Sequence, residues 1–346
     1  MKTKRTLSTL LALLAGVTIF AGASFDARAD DTVTELRMVE AGGQSGDSIQ
    51  KGYIEPFTQK TGVKVVRENP NGIGKLQAMV ASGSISAVLF ELVGTEVQQA
   101  KALNLIEPLD WGAIAPLPMF PEARDDYALG YEYYSTIMTW RKDAKAPKTL
   151  ADFWNVKDFP GKRAIPDIAF YAIPMALLAD GVKPEQLYPL DLDRAFKSLK
   201  KLSPDVAVWW STGAQPPQLL NDNEVQYAIA WSGRVTTEPK LDYSFNQGLI
   251  DLSFFAVPRG ANPAQKAAAM KLLHEMTVPE NQALAATVIS YTGTSPDLSA
   301  LLPKDKIGQF PTAKQNKDVQ VGYDYKWWVD HGKEVEERWQ EFKLGL

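Results

Sequence analysis

The sequence predicts an α/β protein built from two lobes, and three observations support this fold class. Short strand-like runs alternate with longer helical patterns along most of the chain, which is typical of α/β architecture. A strand, a turn and a helix recur three times before residue 105. The chain has 346 residues. A chain of this length usually folds around more than one hydrophobic core, so two lobes are expected.

The first part of the chain supplies these three strand–turn–helix units. Strands are predicted over 36–39, 63–67 and 87–93, and helices from 47, over 75–82 and over 96–103. Each strand leads into a turn at the carboxyl edge of its sheet, where open α/β sheets bind ligands. We therefore expect the glycine-rich turn over 41–46 and the turn at 94–95 to face a ligand.

A second alternating set of elements begins near residue 141. Helical patterns cover 150–154, 173–178, 192–202, 264–276 and 326–343, and strand-like runs cover 162–165, 206–209, 227–231 and 252–257. The pattern over 192–202 is strongly amphipathic, which indicates a helix packed on a core along one face. The α/β alternation therefore continues into the second part of the chain.

The first 29 residues have the pattern of an export signal. Three basic residues within the first five positions precede an apolar stretch over 7–23 that contains no charge. The small-x-small sequence at 27–29 predicts cleavage after Ala29. A membrane anchor is the alternative, but the apolar stretch is short for a stable span of about 20 residues. We interpret the segment over 1–29 as a signal peptide.

Cysteine content and charge restrict the compartment and the partners. The chain contains no cysteine, so it can carry neither a lipid on a cysteine nor a disulfide framework. A freely diffusing exported protein suits the periplasm of a Gram-negative cell. Removing residues 1–29 changes the net charge from −4 to −7. Because nucleic acids and anionic membranes bind basic surfaces, neither is an expected partner of this acidic chain. We also expect the protein to be a monomer.

The chain offers little material for catalysis. Its two histidines are His274, within an apolar helical pattern, and His331, near the end of the chain. Without cysteine, the usual nitrogen and sulfur metal sites are excluded, and no serine or cysteine triad can be assembled. Neither a GxGxxG turn after the first strand nor a P-loop is present. We predict no catalytic residue, no metal and no cofactor.

Aromatic residues are concentrated where loops and strand ends are predicted. The clusters lie at 131–134, 170–171, 209–210 and 231. Trp209 and Trp210 are adjacent on a strand and therefore point to opposite faces, so one of them is expected to face a cleft or water. Flat aromatic faces attract alkyl chains and amines, which indicates a site for a small organic ligand.

Several segments together resemble the periplasmic polyamine-type (spermidine/putrescine-like) solute-binding proteins of ABC transporters. The segments are 57–65 (F-x-x-x-T-G-V-K-V), 153–162 (F-W and F-P-G-K), 230–234 (A-W-S-G-R), 255–263 (F-A-V-P and N-P) and 289–296 (I-S-Y-T-G-T-S-P). Each segment is weakly specific, but their order and spacing match the family over nearly the whole chain after the signal.

The resemblance implies a two-lobed periplasmic binding protein fold of type II, in which each lobe is a mixed sheet flanked by helices. Two crossing strands, near 134–141 and 253–258, join the lobes, which close on a ligand like a hinge. Lobe 1 is expected over 30–137 with 256–305, and lobe 2 over 138–255. The segment over 306–346 is expected to pack on the lobes as a C-terminal helical segment.

The resemblance also implies which loops face the ligand, including 43–45, 132–135, 167–171 and 251–255. The ligand-binding residues expected from it are Gly43, Gln44, Ser45, Thr95, Tyr133, Asp167, Tyr171, Trp210, Ser211, Trp231, Arg234, Asp251, Ser253 and Tyr291.

The ligand is expected to be smaller than a polyamine or to carry both charges. Where the family has paired acids, this sequence keeps Asp167 but has Tyr171 and Ser253 at the positions of other acids. Arg234 adds a positive charge after Trp231, although it could instead pair with an acid at 238 or 242. A linear diamine needs a carboxylate at each end, because a buried unpaired ammonium is costly. This combination favours a zwitterion.

The sequence thus predicts the substrate-binding component of an ABC importer, which passes a small amine or zwitterion to a membrane permease. The ligand is expected to be a polyamine or an ω-amino acid such as 4-aminobutyrate. Two alternatives remain open. One is a ferric-iron-binding protein that uses the tyrosines at 133 and 134, and the other is a periplasmic hydrolase on the same scaffold.

Overall fold

A computed structural model of the chain describes residues 33–345, so the predicted signal peptide over 1–29 lies outside the described residues. Within this range no helix combines the length and the apolar character needed to cross a membrane. The described residues form one compact unit.

Strands and helices alternate largely in the predicted order. The strands are β1 Glu35–Val39, β2 Lys64–Glu68, β3 Leu89–Val93, β4 Ile106–Glu107, β5 Ala128–Arg141, β6 Arg163–Pro166, β7 Val206–Trp210, β8 Tyr227–Trp231 and β9 Leu241–Pro258. The helices are α1 Gly43–Ile49, α2 Glu55–Thr61, α3 Ile73–Ala81, α4 Gly94–Ala102, α5 Trp111–Ile114, α6 Leu150–Trp154, α7 Ala169–Ala179, α8 Leu192–Leu202, α9 Gln215–Asn221, α10 Pro263–Thr277, α11 Pro279–Ala285, α12 Lys314–Lys317 and α13 Tyr325–Leu344. A π-helical segment, Gln50–Ile54, joins α1 to α2.

Three segments predicted as ligand-facing loops belong to regular elements instead. The segment over 132–135 lies inside the 14-residue strand β5, and the segment over 251–255 lies inside the 18-residue strand β9. The turn after β1 is shorter than predicted, because Gly42 and Gly43 adopt φ values of 81° and 59° and reverse the chain within two residues. As a result α1 begins at Gly43 rather than at 47.

One mixed sheet runs through the molecule in the order β2-β1-β3-β9-β5-β8-β6-β7. β1 pairs in parallel with β2 and β3, and β6 pairs in parallel with β7 and β8. The two long strands β5 and β9 are antiparallel and connect these two parallel sets. We call the part around β1–β3 the first side and the part around β6–β8 the second side.

Each side has its own apolar core. On the first side Tyr53, Phe57 and Phe255 are buried in one cluster. On the second side Ile173 and Leu199 are buried in another. β9 changes core along its length, since Leu249 packs on the second side and Leu252 and Phe254 pack on the first. Two cores along shared strands are consistent with two lobes, and the predicted boundaries near 137 and 255 remain a prediction.

Helix α8 shows how the sequence determines one of these core elements. Asp191 caps its first turn, because the Asp191 side chain accepts a hydrogen bond of 3.0 Å from the Arg194 amide. Leu192, Leu199 and Leu202 are buried on one face, and Lys200 and Lys201 lie in the last turn. Apolar residues at helical spacing and basic residues near the carboxyl end both stabilise this helix.

The C-terminal helix α13 covers the second side. Asp324 caps it by accepting a hydrogen bond of 2.9 Å from the Trp327 amide. Trp339 of this helix lies 5.7 Å, between ring centroids, from Trp209, while Trp210 is fully buried under the sheet. Trp209 is only half-buried, because α13 provides a second apolar surface for it, and the prediction that one of the two tryptophans faces a cleft or water stays a prediction.

Alanine substitutions at two glycines, one tightly packed and one in open space, provide a test of the packing of the first side. A Cβ atom at Gly52 would lie 2.6 Å from Ala285 Cβ and 2.9 Å from the Asn281 carbonyl oxygen, whereas a Cβ at Gly74 would meet nothing within 4 Å. We expect Gly52→Ala to lower the free energy of unfolding by about 1–3 kcal/mol through overpacking. We expect Gly74→Ala to raise it by about 0.5 kcal/mol, because alanine restricts the unfolded chain. Urea denaturation of both variants measures the difference, and equal effects would contradict this packing.

Candidate ligand-binding site

A cluster of aromatic rings lies where β5, β8, α7 and the segment after α11 meet. Tyr134, Tyr171 and Tyr291 are buried together, and Trp231 packs against them. The ring centroids of Tyr134 and Tyr291 are 5.9 Å apart, and those of Tyr171 and Trp231 are 6.0 Å apart. We call these four residues the aromatic cluster. Such a group of rings can surround a short alkyl chain and attract a cation.

Asp251 lies at one end of the aromatic cluster. Its Oδ2 accepts a hydrogen bond of 2.7 Å from the Tyr134 hydroxyl, and its Oδ1 accepts one from the Tyr325 hydroxyl. The Tyr171 hydroxyl lies 3.2 Å from that of Tyr134. Burial raises the pKa of Asp251, and the two tyrosine donors oppose that rise because they stabilise the carboxylate. The cluster therefore ends in a buried acid with ordered donors.

Tyr325 closes the site behind Asp251. It is the first residue of α13, and its ring packs directly on the backbone of Gly94, where no Cβ could fit. The neighbouring ring of Tyr323 stacks on Phe170 with centroids 4.1 Å apart and an interplanar angle of 9°. These rings fill the space beyond the acid, so a ligand that reaches Asp251 from the aromatic cluster has little room to extend past it.

Arg234 lies at the opposite end of the aromatic cluster. It follows β8, and its Nη1 donates a hydrogen bond of 3.1 Å to Gln44 Oε1 in the first turn of α1. The guanidinium also lies beside Tyr291, where its charge opposes the rise in pKa that burial imposes on that phenol. The predicted alternative of a pair with Glu238 or Asp242 is not found. Arg234 thus reaches from the second side to the first.

Two donors at this end are incompletely satisfied. The Nε atom of Arg234 and the indole Nε1 of Trp231 are buried without a well-formed hydrogen bond within residues 33–345, although Trp231 lies beside the Tyr171 hydroxyl and Arg234 beside the Tyr291 hydroxyl. Gly213 allows both side chains to pack here, because a Cβ at Gly213 would lie 3.6 Å from Arg234 Nε and would overlap the Trp231 ring. A buried donor without an acceptor costs about 1–3 kcal/mol, so an acceptor from a ligand would be favourable.

A cavity of about 360 Å³ lies next to the Arg234 end. Gln44 from the first side and Gly233 from the second side both line it, together with Ile289. Gly233 is packed closely, because a Cβ there would lie 2.6 Å from both Ile289 Cγ1 and Tyr291 Cε1. The cavity therefore lies between the two sides and is lined by Gln44, the hydrogen-bond partner of Arg234, and by Gly233, which precedes Arg234.

Two further acids are buried on the first side of the site. Glu132 accepts hydrogen bonds from Ser45 Oγ at 3.1 Å and from Ser48 Oγ at 3.4 Å. Glu91 accepts one of 2.8 Å from the Tyr131 hydroxyl. Burial, and then the charge of Glu91, raises the pKa of Glu132 to about 8, and burial raises the pKa of Glu91 to about 7. At neutral pH Glu132 is therefore mostly protonated and Glu91 partly so, while the guanidinium of Arg234 lies at one end of the cluster and the carboxyl group of Asp251, whose pKa burial raises, lies at the other.

The structure brings many of the predicted residues to this site. Trp210 supports Trp231 from behind, with ring centroids 5.3 Å apart, and Ser253 is paired with Glu132 across the strands. The predicted residues that lie in or directly against the site are Gly43, Gln44, Ser45, Tyr171, Trp210, Trp231, Arg234, Asp251, Ser253 and Tyr291.

Tyr133 lies in the core of the first side instead. Its ring contacts Phe120 with centroids 6.1 Å apart, whereas the Tyr134 hydroxyl binds Asp251. The two phenols therefore belong to different clusters and do not form a joint site for ferric iron. Among residues 33–345 no group of three His, Cys, Asp or Glu side chains is placed to hold a metal.

Three other predicted residues lie apart from Arg234. Asp167 forms an ion pair of 3.1 Å with Lys343 and accepts a hydrogen bond of 3.2 Å from Trp339 Nε1. Thr95 and Asp167 line a separate cavity of about 730 Å³ beside α13. Ser211 is exposed in the turn after β7. The C-terminal helix thus neutralises the acid that polyamine-type proteins were expected to use.

Glu132 and Tyr134 lie in the segment over 132–135 that was expected to face the ligand but were not among the individually predicted residues, and Tyr325 lies outside every segment expected to face the ligand. Glu132 is the single acid in the apolar sequence of β5. Because buried strands rarely carry an unpaired charge, this acid could have been recognised as a functional residue. The alternation of side chains does not reveal it, because a bulge between Gly130 and Glu132 shifts the register of β5 against β9. Tyr325 is brought to the site by tertiary packing of α13 alone.

Comparisons with known proteins agree with this architecture. Residues 52–315 match the family model of bacterial extracellular solute-binding proteins. The gamma-aminobutyric acid-binding protein of Pseudomonas aeruginosa is 34% identical over 330 residues, which are 92% of this chain and 93% of that protein. The spermidine/putrescine-binding periplasmic protein of Escherichia coli is 24% identical over 270 residues, 73% of this chain and 76% of that protein.

A solved structure agrees as well. The crystal structure of an ABC transporter substrate-binding protein from Bradyrhizobium japonicum superimposes with a TM-score of 0.84 and 31% identity, covering 89% of this chain and 99% of that one. The predicted fold and the predicted resemblance to polyamine-type binding proteins are confirmed, and the hydrolase alternative is not supported. The chain belongs to the bacterial extracellular solute-binding proteins, and it is a solute-binding protein of the ABC-transporter type rather than an enzyme.

Proposed function

We propose that this protein captures 4-aminobutyrate, or an ω-amino acid of similar length, and delivers it to the permease of an ABC importer. The observation that carries the proposal is the placement of a guanidinium, Arg234, and a carboxyl group, Asp251, at the two ends of one aromatic cluster. The binding of gamma-aminobutyric acid by the Pseudomonas aeruginosa relative supports the same ligand class.

Arg234 would bind the carboxylate of the ligand. Guanidinium and carboxylate form paired, charge-assisted hydrogen bonds, which are shorter and stronger than neutral ones. Arg234 Nε and Trp231 Nε1 are both buried without a well-formed hydrogen bond within residues 33–345. A ligand carboxylate would therefore satisfy both the charge and these donors.

Asp251 would bind the ammonium group of the ligand. Its Oδ1 already accepts from the Tyr325 hydroxyl and the Leu252 amide, whereas its Oδ2 accepts from the Tyr134 hydroxyl and can accept one further hydrogen bond. The alkyl chain would lie between the rings of Tyr134, Tyr171 and Tyr291. Because Tyr325 fills the space behind Asp251, the distance between the two charged ends limits the length of the ligand.

A diamine suits this arrangement less well than a zwitterion. One of its ammonium groups could meet Asp251, but the other would face Arg234. Two like charges in a buried site repel each other, and each loses its hydration. The site therefore supports a ligand with an anionic end, and polyamines are the less favoured candidates.

We further propose that the protein works as a monomer in the periplasm after cleavage behind Ala29. The curated relatives compared above include a periplasmic protein, which supports an exported location. N-terminal sequencing of the exported chain should begin at Asp30. A retained segment over 1–29 would contradict the proposed cleavage.

A thermal-shift series of ω-amino acids tests the proposed ligand. The compounds are 3-aminopropionate, 4-aminobutyrate, 5-aminopentanoate and 6-aminohexanoate, with putrescine as the dication. A ligand present at a hundred times its Kd stabilises the folded state by about 2.7 kcal/mol. We expect the largest shift with 4-aminobutyrate and small shifts with the six-carbon acid and with putrescine. A shift with putrescine but with none of the amino acids would overturn the proposal.

A further inference from the structure

Glu132 and Arg234 are anchored to neighbouring residues of one helical turn. Ser45 Oγ donates a hydrogen bond of 3.1 Å to Glu132, and Arg234 donates one of 3.1 Å to Gln44. Gln44 and Ser45 both lie in the first turn of α1. A buried carboxyl group and the guanidinium proposed to bind the ligand are therefore held close to each other from opposite sides of the site.

The groups that face Glu132 come from every element around it. Glu91 on β3, Tyr53 on the π-helical segment, Tyr131 on β5 and Tyr291 after α11 surround it, together with Arg234 after β8. The serines of α1 donate to both of its oxygens. Arg234 supplies the positive charge in this set, so an ionised Glu132 would interact most favourably with Arg234.

We propose that Glu132 selects the charge of the ligand, an inference that rests on the proposed role of Arg234. When Glu132 is protonated, the guanidinium charge is free to attract the ligand carboxylate. When Glu132 loses its proton to solvent, its carboxylate competes with the ligand for Arg234. The site then loses affinity for an anionic ligand end and gains tolerance for a cationic one.

Glu132 is expected to lose its proton within a pH range that binding experiments can cover. Burial, followed by the charge of Glu91, raises the pKa of Glu132 to about 8. The charges of 4-aminobutyrate itself stay constant between about pH 6 and 9, because carboxyl groups titrate near 4 and primary amines near 10. A change in affinity over this range therefore reports on the protein.

Calorimetric titration of 4-aminobutyrate between pH 6 and pH 9 tests the proposal. If the protonated form binds, the affinity of the unsubstituted protein should fall about tenfold from pH 7 to pH 9, in line with a group that titrates near 8. The Glu132→Gln variant, which keeps the shape of the side chain but cannot ionise, should show a flat profile. A fall in Glu132→Gln as large as in the unsubstituted protein would overturn the proposal, as would a flat profile in both.

Glu91→Gln is the matched control, because it removes a second buried acid of the same region. Its affinity should still fall with rising pH, but the fall should begin at lower pH, since the charge of Glu91 contributes to the raised pKa of Glu132. Carboxyl ¹³C NMR of the unliganded protein gives a readout that needs no ligand. The resonance that disappears in Glu132→Gln should titrate well above pH 6, and titration near pH 4 would refute the inference. If it titrates as expected but 4-aminobutyrate does not bind at any pH, the proposed function fails instead.

Discussion

Replacing Arg234 with methionine is expected to weaken the binding of 4-aminobutyrate by about a hundredfold or more. Truncating one partner of a buried, hydrogen-bonded charge pair costs about 2–5 kcal/mol, and every 1.4 kcal/mol is about a factor of ten in Kd. Methionine keeps much of the apolar length of arginine, so the loss reports on the guanidinium and not on packing. Isothermal titration calorimetry measures the change in Kd.

Two further variants make the Arg234 result specific. Arg234→Lys keeps the charge but loses the planar pair of donors, so it should bind 4-aminobutyrate more weakly than arginine but more tightly than methionine. Arg194→Met removes a surface arginine that pairs with Asp180 on the second side, and it should leave Kd unchanged. An Arg234→Met protein that binds 4-aminobutyrate as tightly as the unsubstituted one would remove Arg234 from the site.

The free energy of unfolding is expected to fall as the pH rises from about 5 to about 8. Glu132 has a folded-state pKa of about 8 and Glu91 one of about 7, both raised from 4.5 mainly by burial. In the unfolded chain both carboxyl groups ionise near their ordinary pKa. At a pH above that pKa, folding therefore requires both groups to take up protons again. The stability they contribute is full below about pH 4.5 and is lost as the pH approaches their folded-state pKa values.

The expected loss is large compared with the total stability of a domain. One pKa unit corresponds to about 1.4 kcal/mol, so Glu132 alone accounts for a loss on the order of 4 kcal/mol over this window. Native proteins are stable by only about 5–15 kcal/mol. Urea denaturation of the unliganded protein at intervals between pH 5 and pH 8.5 measures the slope.

Glu132→Gln should flatten this slope by removing its largest contribution. Glu107 is a useful comparison, because its contacts with Lys266 and Arg259 hold its pKa below the ordinary value. Any stability that Glu107 provides is lost below about pH 4.5 and leaves the window between pH 5 and pH 8 unaffected. An identical pH dependence in the unsubstituted protein and in Glu132→Gln would mean that Glu132 is ionised in the folded state.

The α/β class and the order of most elements could be predicted because each depends on local patterns. The helix α8 and the strand β8 have the bounds that the sequence suggested. These bounds depend on neighbouring residues, which periodicity and turn chemistry reveal. Trp231 and Arg234 were instead expected from the resemblance to polyamine-type binding proteins, because both stand in the matching segment over 230–234.

The remaining features depend on contacts between distant parts of the chain. Asp167 was expected at the ligand, but Lys343, 176 positions later, pairs with it. Tyr325 could not be assigned to the site, since only the packing of α13 brings its hydroxyl to Asp251. The bulge in β5 sends Glu132 toward α1, and no periodic pattern records a bulge. Contacts between side chains that are distant in the sequence could therefore not be predicted.

The central claim is that the site requires both an anionic and a cationic end in its ligand. Calorimetric titration of the unsubstituted protein with 4-aminobutyrate, butyrate, butylamine and putrescine at pH 7 tests it most directly, because the four compounds share one carbon chain length. We expect tight binding of 4-aminobutyrate, and we expect each of the other three compounds to bind about a hundredfold more weakly, since each leaves Arg234 or Asp251 without its partner. Putrescine binding as tight as, or tighter than, 4-aminobutyrate binding would contradict it.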